Sequence, residues 1–368
     1  MAIFMDLHIA PGIKPVEVAK AHALDVENQE KFGCRAMTYW FDRDEGTGFC
    51  LFDAPDEESV IQLHKNTHGL IPNEIIPVNS RVVEAFLGRI KDPEGYFEPE
   101  NPKLRVFNDP AFRIIMVTES MDERLLIQKL GKQKANELLK IHHSIIREQI
   151  SKYEGREAEL DEAGFVISFV SVMQAVECAQ SILKSLHIAA DLLEFRIGLH
   201  AGLPVNRSNR IFGKTISFAG FLCKIAHANK IILSSVIRNL YKTKSTEQLI
   251  DNERIKWLTP AEENFLGMLL ETLEKRWDES EFSVLEFCNE ISMSKPQLYR
   301  KCKLLTGMSP NELLREYRLQ KSLALLKNDN QNISQVAYET GFNSPSYFTK
   351  CFQKRFGIQP LHYFKEFK

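Results

Sequence analysis

The last ninety or so residues, about a quarter of the chain, repeat one two-helix pattern, and no other feature constrains the fold as tightly. The first copy runs from Phe282 to Gly307 and the second from Ile333 to Gly357. In each, a short helix turns apolar residues inward: Val284, Leu285, Phe287 and Ile291, then Ile333, Val336 and Ala337. A tight turn follows at Ser292-Met293 and at Gly341-Phe342, where Gly341 suits a left-handed backbone after a helix end. A serine stands where an N-cap belongs, Ser294 before Lys295-Pro296 and Ser344 before Pro345. The helix behind each cap keeps an apolar face, Leu298, Cys302 and Leu305 or Phe348, Phe352 and Phe356. Its other face is polar and cationic. The candidate DNA-binding residues there are Lys295, Gln297, Arg300 and Lys301 in the first copy, and Ser344, Ser346, Tyr347, Thr349, Lys350 and Lys354 in the second.

Charge agrees. From Phe282 to the C-terminus there are 13 Lys and Arg against 7 Asp and Glu, a net of +6 in a chain whose total is -2. A basic tail on an acidic body suits contact with phosphate, although charge alone would equally describe a solvated helical surface. The doubled turn grammar decides between them.

The tail resembles the AraC-type transcription regulators, on Ile333, Val336-Ala337, Gly341-Phe342, Ser346-Tyr347-Phe348, Phe352, Phe356-Gly357 and Pro360. The resemblance implies two helix-turn-helix units flanking a linker helix, here Asn311 to about Asn328. Both reading helices would then enter double-stranded DNA from one side, roughly 34 Å apart.

The rest of the chain is ordinary in bulk: 44% hydrophobic and 26% charged. No apolar run reaches membrane-spanning length and no signal peptide is evident, so the expectation is a cytoplasmic protein without membrane contact. Seven cysteines lie scattered without a Cys-x-x-Cys pair, which indicates neither a disulfide framework nor a zinc ribbon. Composition divides the chain into 1–90, a Pro- and acid-rich linker at 91–109, a middle module at 110–241, a polar linker at 242–265 and the tail at 266–368.

Residues 1–90 read β-α-β-β-α-β, the ferredoxin-like order: strands at Ile3 to Ile9, Ala36 to Phe41, Gly48 to Phe52 and Asn73 to Val83, helices at Pro15 to Phe32 and Ser59 to Gly69. Four of the ten histidines fall here: His8, His22, His64 and His68. His64 and His68 are four apart, so one helix face presents both. His8 shares a strand face with Asp6, and Cys50 lies on a neighbouring strand. The candidate metal ligands are His8, His22, Cys50, His64 and His68, a set suited to nickel or another divalent transition metal. Satisfied or surface histidines would give the same spacing. Phe4-Met-Asp-x-His8, Pro11-Gly12, Ala21-His22, Asp25, Tyr39-Trp40, Phe49-Cys50-Leu51, Ala54-Pro55 and His64 to Gly69 resemble a small nickel-binding ferredoxin-like family. That implies a metal-binding, dimerising module.

The middle module reads as a strand at Phe112 to Thr118, one long helix from Glu123 to Tyr153, a hairpin, a helix from Ser171 to His187, a strand into Gly202, a helix from Thr215 to Ala228 and a strand at Lys230 to Ser234. Gly155-Arg-Glu, Gly164-Phe, Arg196 to Gly202 and Ile231 to Ser235 resemble the class III adenylate/guanylate cyclase domain. Such cyclases hold two metal ions on two carboxylates. By the resemblance these positions are Glu119 and Ala163; the base-reading Lys falls near Glu159, and the transition-state Asn and Arg near Ser217 and Phe221. Most of the chemistry is replaced, which implies a non-catalytic scaffold and, because cyclase domains pair, a homodimer.

The chain is thus expected to be α+β and multidomain: a ferredoxin-like front, a cyclase-like α/β middle and an all-α double helix-turn-helix tail. The expected function is a DNA-binding transcription regulator, not an enzyme, with front modules that dimerise or sense nickel, another metal or an unknown small ligand. The alternatives are a metal-handling protein with secondary DNA binding and a nucleotide cyclase.

Overall fold

A computed structural model describes every residue except 1, 95–96, 99–100, 161–163, 190–193, 207, 245–252, 328–331 and 366–368. The front module comprises β1 (Ala2–Ile9), α1 (Pro15–Asn28), β2 (Arg35–Asp42), β3 (Thr47–Ala54), α2 (Glu57–Thr67), β4 (Glu74–Val78) and α3 (Ser80–Leu87). Its antiparallel sheet runs β2-β3-β1-β4. Strand period two sends Phe4, Asp6 and His8 to the face covered by α1 and α2, and Met5 and Leu7 to the other. The expected last strand is shorter: Asn79 caps the amide of Arg81 and starts α3, so Val83 is helical.

After the short hairpin of β5 (Phe97–Glu98) and β6 (Asn101–Arg105), the middle module comprises β7 (Arg113–Glu119), α4 (Glu123–Leu130), α5 (Lys132–Lys152), β8 (Arg156–Leu160), β9 (Phe165–Phe169), α6 (Val172–Ala189), β10 (Arg196–Gly202), α7 (Gly213–Ile225), β11 (Lys230–Leu233), α8 (Ser235–Lys244) and β12 (Ile255–Trp257). The sheet order is β12-β11-β10-β7-β9-β8. Its four antiparallel strands β8-β9-β7-β10 repeat the front module's order, second-third-first-fourth. The single long helix expected from Glu123 is two helices, because Gly131 adopts φ +81° and breaks it.

The two modules share one core, with α3 and α7 packed on the middle sheet's side of it. One cluster joins Met5, Trp40, Phe49, Leu51 and Phe86 of the front to Ile115, Val205, Phe212 and Ala219 of the middle. The far face of the middle sheet is filled by α5 and α6, with Ile146, Ile150, Val176, Ala179 and Ile182. The homodimer implied by the cyclase resemblance therefore finds both faces of the middle sheet covered within the chain.

The described parts of both expected linkers pack on folded modules. In 91–109, Phe107 stacks on Tyr39 at 4.1 Å between ring centroids, the Tyr39 hydroxyl donates to the Arg105 carbonyl at 2.8 Å, and Arg89 pairs with Asp109 at 3.1 Å. In segment 242–265, β12 completes the middle sheet beside β11. Pro-rich and polar composition reports irregular backbone, and tertiary contacts decided whether it detaches.

The tail comprises α9 (Pro260–Arg276), α10 (Val284–Ile291), α11 (Lys295–Thr306), α12 (Pro310–Leu326), α13 (Ile333–Glu339), α14 (Pro345–Phe356) and α15 (Pro360–Lys365). Serine and threonine caps start most of them: Thr259, Ser283, Ser294 and Ser309 each form a reciprocal capping box with the residue three on. Leu285, expected in the core, is 70% exposed.

Candidate metal centre and nucleic-acid interface

The front module's polar cluster lies between its sheet and α1/α2. Asp6 and His8 come from β1, Cys50 from β3, His22 and Asp25 from α1, and His64 and His68 from the end of α2. His8, His22, Asp25, Cys50, His64 and His68 line one cavity of about 40 Å³, room for a single small ion or water. His64, fully buried, is the hub. Its Nε2 lies 2.9 Å from Asp6 Oδ2; its Nδ1 lies 2.8 Å from His68 Nε2 and 3.3 Å from Asp25 Oδ2. His8 Nε2 reaches Asp6 at 3.3 Å and His68 Nε2 reaches Asp25 at 3.1 Å. One backbone and one side-chain donor fix the carboxylates further: the Cys50 amide donates to Asp6 Oδ1 at 2.7 Å, and the Thr67 hydroxyl to Asp25 Oδ1 at 2.8 Å.

Burial works against charge here, and the partners overcome it. Asp6 is desolvated, yet His8 and His64 hold its carboxyl well below the usual range. Asp25 is likewise buried but held at about 2 by His64 and His68. Burial pushes His64 down, while hydrogen bonds with Asp25 and Asp6 outweigh it and carry its pKa up to about 9. A cationic imidazole thus sits between two buried carboxylates. Burial, with Asp6 and Asp25 nearby, keeps the Cys50 thiol well above its ordinary value and protonated.

Two overlapping triads, Asp6/His8/His64 and Asp25/His64/His68, present ligand atoms within 4.8 Å of one another. Three of the five expected ligands, His8, His64 and His68, belong to them. Cys50 and His22 line the cavity outside both triads, and His22 faces Asp92 at 3.4 Å. The sequence reading missed Asp6 and Asp25 as ligand candidates. The signal was available: an acid on the core-facing register of β1, and another three residues after His22 on a helix whose apolar residues surround it. The donor set of imidazole and carboxylate, already holding one positive charge, fits a divalent transition cation.

In the middle module Glu119 ends β7, and positions 161–163, where the second carboxylate was sought, lie outside the described residues. Phe221 is buried at the seam between α7 and the tail, where an arginine would have no such place.

In the tail, the two reading helices are α11 and α14. Ser292 and Gly341 take left-handed conformations, φ 54° and 74°, at the two turns, as their positions demanded. Lys295, Gln297, Arg300, Ser346, Tyr347, Lys350 and Lys354 are exposed, while Lys301, Ser344 and Thr349 are half-buried. Gln297 also closes the capping box on Ser294, at 3.0 Å to its hydroxyl. The Lys301 ammonium lies 5.3 Å from the Phe265 ring centre, over α9. Ser344 caps α14 by accepting the Tyr347 amide at 3.4 Å. Arg355, unnoticed in the sequence, ties α14 to α12 through Glu316 at 2.7 Å. Arg318 of α12 donates to the Trp277 and Glu279 carbonyls at 2.6 Å each, fixing the linker helix to the end of α9.

Residues 287–366 match a helix-turn-helix domain family, and residues 4–78 match the family of nickel responsive proteins like SCO4226. A curated protein described as histidine kinase P4, from Formosa agariphila, is 26% identical over 343 residues, covering 87% of this chain and 24% of its own length. The HTH-type transcriptional regulator MtrA of Neisseria gonorrhoeae is 31% identical over 134 residues, 36% of this chain and 44% of that protein. The chain therefore spans less than half the length of either relative. A crystal structure of an adenylate/guanylate cyclase/hydrolase from Silicibacter pomeroyi covers 38% of this chain and 85% of its own, at 19% identity and a TM-score of 0.33. At the level of segments, the C-terminus is thus similar to helix-turn-helix domains and the N-terminus to SCO4226-like nickel responsive proteins.

Proposed function

We propose that this chain is a sequence-specific, double-stranded-DNA-binding transcription regulator of the cytoplasm whose front module binds nickel or a similar divalent metal. The observation that carries the DNA reading is the pair of capped helices, α11 and α14, each buried on one face and exposing cationic residues on the other. The proposed DNA contacts are Lys295, Gln297, Arg300, Lys301, Ser344, Ser346, Tyr347, Thr349, Lys350 and Lys354. Ser344 also serves as a cap, and Lys301 lies on the flank of α11 over Phe265. Selection from a random duplex library at fixed, moderate salt tests the reading. A recovered consensus is the expected outcome; recovery of no preferred sequence would overturn it. Arg300→Ala should weaken the selected site by about 1–3 kcal/mol if it reads a base edge, whereas Lys350→Ala should reduce the salt slope by about one if it holds a phosphate.

The metal would be held by Asp6, His8 and His64 or by Asp25, His64 and His68, on opposite ring nitrogens of His64; His22 and Cys50 are the remaining candidates at the cavity wall. Bound there, the ion supplies positive charge in place of the His64 proton. Metal binding in this module and DNA binding in the tail combine into a metal-dependent regulator, since any effect of metal on DNA affinity must act equally in reverse. No cyclase step is proposed, and the middle module is read as the scaffold between input and output. The cyclase resemblance also implies a homodimer, which sedimentation at micromolar concentration measures.

A further inference from the structure

The two helix-turn-helix units are joined to the rest of the molecule in different ways. The first shares one apolar core with the middle module: Phe218, Phe221, Leu222 and Ile225 of α7 are continuous, through α9, with Phe287, Ile291, Leu298 and Leu305. Lys256 of β12 also donates to the Leu305 carbonyl near the end of α11, at 3.4 Å. Separating these parts would expose a large apolar surface. The second unit closes a core of its own around Leu323, Val336, Phe348, Phe352 and Tyr363. Among the described residues, Leu125 is the one middle-module side chain in that cluster.

Among the described residues, the polar contact between the second unit and the middle module centres on one carboxylate. Asp122, 8% exposed, uses Oδ1 to cap α4, accepting the amides of Arg124 at 3.0 Å and Leu125 at 3.3 Å. Its Oδ2 accepts the hydroxyl of fully buried Tyr363, on α15, at 3.1 Å and pairs with the Lys327 ammonium, at the end of α12, at 3.0 Å. The Arg124 guanidinium lies 5.4 Å from the Tyr363 ring centre. Asp122 thus grips the second unit both where the linker helix enters it and where its last helix packs.

We infer that Asp122 is a latch through which the middle module sets the position of the second DNA-reading unit relative to the first. The inference rests on the DNA-binding reading above. A contact made mostly of polar groups around one carboxylate can open without unfolding either side, whereas the apolar weld of the first unit cannot. The latched form presents α11 and α14 in one fixed relation, so binding to a two-part site costs less ordering than it would with the second unit free. Asp122 is a positioning residue in this account and touches no DNA.

Tyr363→Phe removes only the hydroxyl; Asp122→Asn keeps a side chain that can cap α4 while removing the charge that pairs Lys327. Amide hydrogen exchange on the full chain reads the latch directly. In both variants exchange across α13–α15 should rise about tenfold, the scale of a lost hydrogen bond to a charged group, with α10 and α11 unchanged. Affinity for a duplex selected by the wild-type chain should fall by a similar factor, while affinity for an unrelated duplex of equal length holds. Unchanged exchange across α13–α15, or selected-site affinity that stays level or rises, would overturn the latch. Should the wild-type chain select no duplex, the DNA reading fails, and the exchange comparison still decides whether Asp122 holds the second unit.

Discussion

The front and middle modules have the same four-strand order and share one core, yet they treat buried histidine in opposite ways. In the front, His64 is enclosed by Asp6 and Asp25 and carries a proton up to about pH 9. In the middle, His142 is 2% exposed, packs on the Phe195 ring at 5.0 Å, and burial pushes its pKa down to about 4. One fold therefore supplies two environments. A cluster of buried, mutually neutralising charges is costly to assemble and marks a place where an ion can be exchanged for a proton. A buried neutral imidazole is a core side chain. This contrast is what supports the proposal of a metal-binding input in the front module.

The largest effects test whether the two sheets are one body. Phe212 is buried at their seam, 5.1 Å from Phe86 between ring centroids. Phe212→Ala should cost about 3–5 kcal/mol and lower hydrogen-exchange protection in both modules together. A front module left at wild-type protection would break the shared-core description. His64→Leu should destabilise the metal-free chain by about 3–5 kcal/mol, because Asp6 and Asp25 lose their common partner. It should also weaken Ni(II) binding at least about tenfold in calorimetric titration. His142→Leu sharpens the contrast: denaturant unfolding should shift by no more than about 1 kcal/mol, since no buried partner is orphaned, and Ni(II) binding should hold.

The pH response should separate the same two residues. His64 holds its proton more tightly folded than unfolded. Its contribution to stability is full below about pH 6.5 and is lost as pH rises through about 9. His142 runs the other way: the unfolded chain takes up its proton first, so stability falls as pH drops from about 6.5 toward 4. Imidazole resonances followed by NMR should show one late and one early titration. Two midpoints near 6.5 would remove the distinction.

Much of this was readable from residue order, for physical reasons that differ by region. Period-two strands such as β1 and β3, and caps such as Ser294 and Ser344, are local signals, and the structure carries them where the pattern placed them. The His64/His68 face needed only helical geometry. The short strand β12 and the docking of the described part of 91–109 depend on partners distant in sequence, so the local pattern misread them; the break at Gly131 is a local glycine signal that the helical period passed over. The core-facing positions of Asp6 and Asp25 were readable, but their pairing with imidazoles 58 and 43 residues away appears only in the folded chain.

On the proposed function, metal at the His64 cluster governs the affinity of the α11/α14 pair for its DNA. The direct measurement is the dissociation constant for the selected duplex, with and without Ni(II) at constant salt, in the wild-type chain and in His64→Ala. The account predicts a metal-dependent shift in the wild type that disappears in the variant. The same constant with and without Ni(II) in the wild type, or an equal shift in both chains, would contradict it.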